Sequence, residues 1–258
     1  MMEDGIGYEY FVLKWDVTEI NRQCVWTTRF RGPRGARGIS LVEMSDGGIV
    51  MGMTNGTVSL LDGASGQTTR ICGDRAIVYV RAVVSLGDDL FAIGFSRSVR
   101  IWSAREGQLL QVVQTRTEVK CLSLSPTMLY VAAGCDDGSV KLYRLPHWHQ
   151  EWSVKVHTSS SNTVSWSPNG QFLVSGSFDQ TVKILCAYTG TILRCLSGHT
   201  RGVTSVAFSQ DGTDILSSSS DCTVRVERLY FKIQFASMVH GSSEAVKFLF
   251  GRCKRQFV

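Results

Sequence analysis

The sequence predicts an all-β fold built from repeated four-stranded antiparallel units, the architecture of a β-propeller. A valine recurs along the 258 residues at intervals of 46, 41, 41, 42 and 42 residues, the length of one blade. Turn sequences such as Asn169-Gly170 and Asp211-Gly212 favour tight hairpins, because both turn residues tolerate positive φ. No window has the 3.6-residue apolar period of an amphipathic helix. The valine opens the third β-rich run of each unit, at Val12, Val58, Val99, Val140, Val182 and Val224.

Each unit is expected to contribute four strands in chain order. The two runs before the repeat valine, rich in β-branched and aromatic residues, predict the first and second strands. The run that begins at the valine predicts the third strand, and the run after the next turn predicts the fourth. The five continuous units cover approximately residues 38–72, 77–113, 118–156, 160–197 and 202–239.

The two ends of the chain predict a sixth, composite blade. Ala245–Phe250 has the pattern of a first strand and 256–258 that of the start of a second, whereas residues 8–30 supply a third and a fourth. Counting across the join from Val224 to Val12 gives 46 residues, which equals the longest internal spacing. Sharing a blade between the termini removes exposed sheet edges. We therefore expect one domain over residues 1–258 with six blades; the alternative is a shortened seven-bladed propeller.

Composition excludes several classes of protein. The apolar fraction of 43% excludes a disordered chain, and a net charge of +5 does not require a nucleic-acid partner. Eight cysteines stand singly without a C-x-x-C pair, so neither a zinc site nor a disulfide framework is expected. The first residues lack a secretory signal, and the most apolar stretch, residues 77–86, is interrupted by Arg81. We expect an intracellular protein, cytoplasmic or nuclear or both, with no cofactor, metal, membrane or small-molecule substrate.

Several residues of these units resemble the repeat motif of the WD-repeat (WD40-type) β-propeller family. The family motif has a Gly-His pair, a turn aspartate and a closing Trp-Asp dipeptide, and this chain lacks the tryptophan of the dipeptide in four of six units. The resemblance implies a structural network made of the matching residues, which are Trp15, Asp16, Trp102, Asp137, His157, Asp179, His199 and Asp221.

The spacing of two His–Asp pairs supports this alignment independently. His157 precedes Asp179 by 22 residues, and His199 precedes Asp221 by 22 residues. The resemblance implies that each histidine donates a hydrogen bond to its turn aspartate. The alternative is a catalytic acid–base dyad, but an active site needs one dyad, and repetition in consecutive units favours a structural role.

Two further clusters of residues are candidate binding sites. His147-Trp148-His149 could supply two metal ligands, yet no carboxylate or cysteine is nearby, so a surface turn with an aromatic plug is expected. The Arg-Gly segment 29–38 could contact RNA phosphates through Arg31, Arg34 and Arg37. Because no aromatic residues for base stacking alternate with these arginines, an ordinary solvated loop is favoured.

The preferred functional hypothesis is a non-catalytic scaffold that binds proteins or peptides. Family members commonly bind partners on the face where the aspartate turns emerge, and arginine and aromatic residues dominate such interfaces. The residues of this kind at the rim are Phe95, Arg97, Arg116, Phe178 and Arg201. The alternatives are an RNA-associated component of an RNA-processing or ribosome-assembly particle and a propeller hydrolase with a site in the central channel.

Overall fold

The computed structural model describes residues 9–17, 22–31, 38–53, 56–73, 80–232 and 249–251. Every regular element in these ranges is a β-strand, which confirms the prediction of an all-β chain. Among the same residues, no helix is long and apolar enough to cross a bilayer. The chain divides into two compact units, residues 1–124 and 125–258, which are called the N-terminal and C-terminal units.

The N-terminal unit contains a two-stranded sheet and two four-stranded antiparallel sheets, followed by one further strand. The hairpin consists of β1 (Glu9–Val17) and β2 (Arg22–Arg31). The first four-stranded sheet consists of β3 (Gly38–Glu43), β4 (Ile49–Met53), β5 (Thr57–Leu61) and β6 (Thr68–Gly73). The second consists of β7 (Ala82–Gly87), β8 (Leu90–Gly94), β9 (Ser98–Ser103) and β10 (Leu109–Gln114), and β11 (Val119–Leu124) ends the unit.

The C-terminal unit follows the same plan. Its strands β12 (Tyr130–Cys135), β13 (Ser139–Arg144) and β14 (His149–Lys155) pair in order. A four-stranded sheet follows, made of β15 (Ser161–Trp166), β16 (Phe172–Ser177), β17 (Val182–Cys186) and β18 (Ile192–Leu196). The last sheet has three described strands, β19 (Val203–Phe208), β20 (Asp214–Ser219) and β21 (Val224–Arg228). Finally, β22 (Tyr230–Lys232) pairs with β23 (Leu249–Gly251).

The recurring valine marks the third strand of each larger sheet, as the sequence predicts. Four of these valines are 0–2% exposed, because the third strand is central in its sheet and their side chains pack in the core. The prediction of four-stranded antiparallel sheets is thereby confirmed. The four buried valines are Val58, Val99, Val140 and Val182.

Neighbouring sheets pack closely where a second strand carries glycine. A Cβ atom on Gly176 in β16 would lie 2.5 Å from Val203 Cγ1 and 2.9 Å from Val206 Cγ1 of β19. No real Cβ tolerates such a distance, so this position is restricted to glycine by the next sheet rather than by its own backbone conformation. The same contact occurs within the N-terminal unit, at Gly52 against Val80 and Gly94 against Val119.

The last described sheet differs because apolar side chains on one of its faces are exposed. Val224 is 58% exposed and Leu216 and Val226 are exposed as well, although the matching Val182 of the preceding sheet is 2% exposed. Strand β20 alternates between buried residues and residues that are half-buried or exposed, whereas all six residues of β16 are buried. Ser218 replaces the close-packed glycine of the other sheets. No described strand therefore covers this face of β19–β21.

The composite blade stays a prediction, as do the six-blade count, the closed ring and the single domain. The third and fourth strands predicted within residues 8–30 coincide with the paired strands β1 and β2, whereas β23, at the end of the predicted first strand, pairs with β22. Residues 233–248 and 252–258, which include the predicted start of the second strand at 256–258, lie outside the described residues.

Candidate functional site

A buried polar network surrounds His157, in the connection between β14 and β15. Its Nδ1–H donates to Asp179 Oδ2 at 3.0 Å, and Nε2 lies 3.1 Å from Ser175 Oγ. The Ser175 hydroxyl is in turn 2.8 Å from Ser161 Oγ. A neutral imidazole fits both contacts, with Nε2 accepting the proton of Ser175. The network joins two strands of one sheet to the connection that precedes it.

The same arrangement recurs one sheet later. His199 Nδ1 lies 2.9 Å from Asp221 Oδ2, and its Nε2 lies 2.9 Å from Ser217 Oγ. Sequence reasoning identified the His–Asp pairs but missed the serines. The signal was available, because Ser175 follows His157 by 18 residues and Ser217 follows His199 by the same interval.

Each turn aspartate also holds its own turn. Asp179 Oδ1 accepts hydrogen bonds from the backbone N–H and the hydroxyl of Thr181, at 3.0 and 2.6 Å. Its Oδ2 accepts a further bond from Thr158 N–H at 3.1 Å. Burial alone would raise the pKa of this carboxyl, but the hydrogen bonds from Thr181 and Thr158 and the electrostatic interaction with His157 outweigh burial and lower the pKa to about 2. Asp179 is therefore a firmly ionised acceptor.

At the paired His157, in contrast to Asp179, burial is the effect that determines the direction of the pKa shift. Burial lowers the pKa of His157 and outweighs the nearby Asp179 carboxylate, which raises it.

Asp137, in the corresponding turn of the sheet before, accepts hydrogen bonds from the N–H and hydroxyl of Ser139. Burial opposes ionisation there too, but these bonds give a net lowering of the Asp137 pKa. Its backbone carbonyl accepts a hydrogen bond from Lys155 Nζ.

The contacts follow the Ser–His–Asp order of a hydrolytic triad, but the serine is not accessible as a catalytic serine must be. Ser175 is 0% exposed and His157 is 1% exposed, so a substrate carbonyl has no path to the Ser175 hydroxyl. The copy around His199 is likewise buried. The hydrogen-bonded network around His157 can instead hold in place the turn that carries Phe178.

That turn belongs to what we call the loop edge of the C-terminal unit, formed by residues 156–160, 178–181, 198–202 and 220–223. Phe178 is 58% exposed, and its N–H donates to Ser160 O at 3.1 Å. A Cβ atom on Gly202 would lie 2.5 Å from Phe178 Cδ1, so the ring rests on the backbone of the next connection. The exposed Arg201 directly precedes Gly202. The structure thus brings two of the predicted rim residues together.

The other rim residues lie in the N-terminal unit, and one prediction there is wrong. Phe95 occupies the same turn position as Phe178 but is 2% exposed, because it packs in the core with Val80 and the Arg100 guanidinium lies 5.2 Å from its ring centre. Arg97 and Arg116 are exposed as expected. Trp102 packs in that same core.

The remaining sequence candidates are placed as follows. His147 and His149 are exposed, and Trp148 between them is buried against Tyr143 with ring centres 6.0 Å apart. Within the described ranges no group of three or more His, Cys, Asp or Glu could hold a metal ion. Arg34 and Arg37 lie outside the described residues, and only the backbone is described for Trp15 and Asp16 in β1 and Arg31 in β2.

One cleft in the N-terminal unit has carboxylates in its lining, as many active sites do. It has a volume of about 590 Å³ and is lined by four aspartates, including Asp62 and Asp89. Asp62 Oδ1 accepts bonds from Ser65 N–H and hydroxyl, and Asp89 Oδ2 accepts one from the Ser103 hydroxyl. These carboxylates hold the turns around them.

Comparisons with known proteins agree with this geometry. A model of the anaphase-promoting complex subunit 4 WD40 domain matches residues 122–211. The human WD repeat-containing protein 90 is 29% identical over 157 residues, which cover 57% of this chain and 9% of that protein. Mouse apoptotic protease-activating factor 1 is 27% identical over 128 residues, 48% of this chain and 10% of that protein.

A third relative is shorter in its match but higher in identity. The Neurospora crassa ribosome biogenesis protein erb1 is 35% identical over 69 residues, which cover 26% of this chain and 9% of that protein. The chain thus spans about a tenth of the length of each of these three relatives.

Proposed function

Because this chain belongs to the WD40-repeat family, we propose that it is a non-catalytic scaffold that holds other proteins or peptides in a multiprotein complex. We place it in the cytoplasm, the nucleus or both. The observation that carries the proposal is the loop edge, where Phe178 and Arg201 are exposed on a backbone fixed by buried hydrogen bonds. An exposed aromatic ring beside an arginine is the composition of protein-binding hot spots.

The burial of both Ser–His–Asp networks supports a role without catalysis. A nucleophile must reach its substrate, and neither Ser175 nor Ser217 is accessible. Their repetition in two sheets supports a structural role as well.

A second candidate function is a component of an RNA-processing or ribosome-assembly particle. Its support is the similarity to ribosome biogenesis protein erb1 together with the Arg-Gly segment that contains Arg31, Arg34 and Arg37. In that case the scaffold would bind proteins while the arginines contact phosphates.

Affinity purification of the tagged full chain, with and without nuclease, tests both candidates. The scaffold proposal predicts partner polypeptides that survive nuclease and are lost on Phe178→Ala but retained on Tyr188→Ala. Tyr188 is a matched control, since it is exposed on the turn between β17 and β18, at the opposite end of the same sheet. Partners lost on nuclease treatment and on replacing the three arginines by alanine would favour the RNA-associated function instead.

A further inference from the structure

We propose that Phe178 and Arg201 form a binding site for a peptide segment in which a carboxylate adjoins a large apolar side chain. This inference rests on the proposed scaffold function and names the chemistry of the partner. The apolar side chain would pack on the Phe178 ring, and the carboxylate would accept hydrogen bonds from the Arg201 guanidinium.

The exposure of Phe178 is not a requirement of the repeat. Phe95 fills the same turn position, four residues before the repeat valine, and is 2% exposed. The C-terminal unit has polar residues at this position in its other turns, at Asp136 and Ser220. An aromatic ring at 58% exposure is therefore a local feature of this turn that packing does not explain.

The charges of the loop edge select an acidic rather than a basic segment. Both carboxylates nearest to the site are already occupied, since Asp179 and Asp221 each accept bonds from a histidine, a threonine hydroxyl and two backbone N–H groups. Arg201, by contrast, has no ion-pair partner among the described residues. The group with unused hydrogen-bonding capacity is thus a cation.

The backbone of the site is also pre-organised, so little ordering of the backbone is required on binding. Arg201 O accepts a hydrogen bond from the Ser219 hydroxyl at 2.9 Å, and Gly202 O accepts one from Ser220 N–H at 3.0 Å. These bonds fix the backbone that carries the guanidinium, and the ring lies against the same backbone at Gly202. A short segment can therefore meet both groups at once.

The test uses the full chain and three pools of fluorescein-labelled octapeptides, read by fluorescence anisotropy. The first pool alternates Leu or Phe with Glu, and the other two carry Gln or Lys in place of Glu. We expect the Glu pool to bind about tenfold more tightly than the Gln pool and the Lys pool to bind most weakly. Arg201→Gln should abolish the preference for Glu over Gln, and Phe178→Ala should weaken both pools about tenfold.

Matched variants keep the result specific. Tyr188→Ala and Arg105→Gln remove an exposed ring and an exposed cation elsewhere, and should leave binding unchanged. Equal binding of the three pools, a Glu preference that persists in Arg201→Gln, or no binding of any pool to the folded chain would overturn the inference. If the pools fail while purified partners are still lost on Phe178→Ala, the scaffold function stands and only the peptide chemistry is wrong. If no polypeptide partner depends on the loop edge, the proposed function fails as well.

Discussion

Replacing Asp179 by Asn tests whether the buried network holds the loop edge together. The carboxylate accepts four hydrogen bonds, two at Oδ1 from Thr181 and two at Oδ2 from His157 and Thr158. The amide keeps one oxygen for Thr181 but turns an NH₂ group toward the other two partners. His157 can move its proton to Nε2 and accept at Nδ1, whereas the N–H of Thr158 then faces another donor.

One backbone donor is thus left without a protein acceptor, and the charge that strengthened the other bonds is lost. We expect a loss of about 1–2 kcal/mol in the free energy of unfolding, at the lower end of the usual cost because Thr158 is partly reached by water. The assay is urea denaturation followed by tryptophan fluorescence, with the slope of unfolding free energy against urea unchanged.

Asp211→Asn is the matched control for this prediction. Asp211 also accepts bonds from neighbouring hydroxyl and N–H groups, but it lies exposed in the turn between β19 and β20 of the next sheet, at the end opposite the loop edge. Its replacement should have a much smaller effect. A stability of Asp179→Asn within about 0.5 kcal/mol of the parent chain, or an equal loss in both variants, would refute the reasoning.

Three further outcomes follow from packing and protonation. Val182→Thr should lower the free energy of unfolding by about 1–2 kcal/mol in urea denaturation, because it buries a hydroxyl. Val224→Thr, at an exposed position, should stay within about 0.5 kcal/mol of the parent chain, and equal effects would contradict the difference in exposure between the two valines. Gly176→Ala should cost about 1–3 kcal/mol, with partial recovery in the double variant with Val203→Ala; a neutral effect would show that the two sheets are not in close contact. Folding lowers the pKa of His157, so the unfolded chain takes up a proton at higher pH than the folded chain does. The free energy of unfolding should therefore fall as pH drops below about 6.5, and His157→Gln should flatten this part of the stability profile. An unchanged stability profile in His157→Gln would mean that His157 does not titrate differently in the two states.

The sequence predicted local pattern well because that pattern is set by local chemistry. The repeat valine located the third strand of each larger sheet, and the 22-residue spacing located two histidines beside their aspartates. Both follow from residue type and interval alone. The positions of the turns were readable as well, since Asn169-Gly170 and Asp211-Gly212 each lie between two strands, but only the glycine of each pair has positive φ.

What the sequence could not give depends on contacts between sheets. Phe95 and Phe178 occupy the same position in their turns, yet one is buried and the other exposed, because the surroundings of the ring differ. Val182 and Val224 are likewise identical in local pattern, but β19 packs against the sheet of Val182, whereas no described strand covers Val224. Burial of this kind is a property of neighbouring sheets rather than of the repeat.

The central claim is that the loop edge of the C-terminal unit contacts another polypeptide. The most direct test places a photo-crosslinking amino acid, benzoyl-phenylalanine, at position 178 and separately at position 188 of the full chain in cells. Both side chains are aromatic and exposed, but they lie at opposite ends of one sheet. The account predicts discrete crosslinked polypeptides from position 178 and none from position 188, and crosslinks confined to position 188 would contradict it.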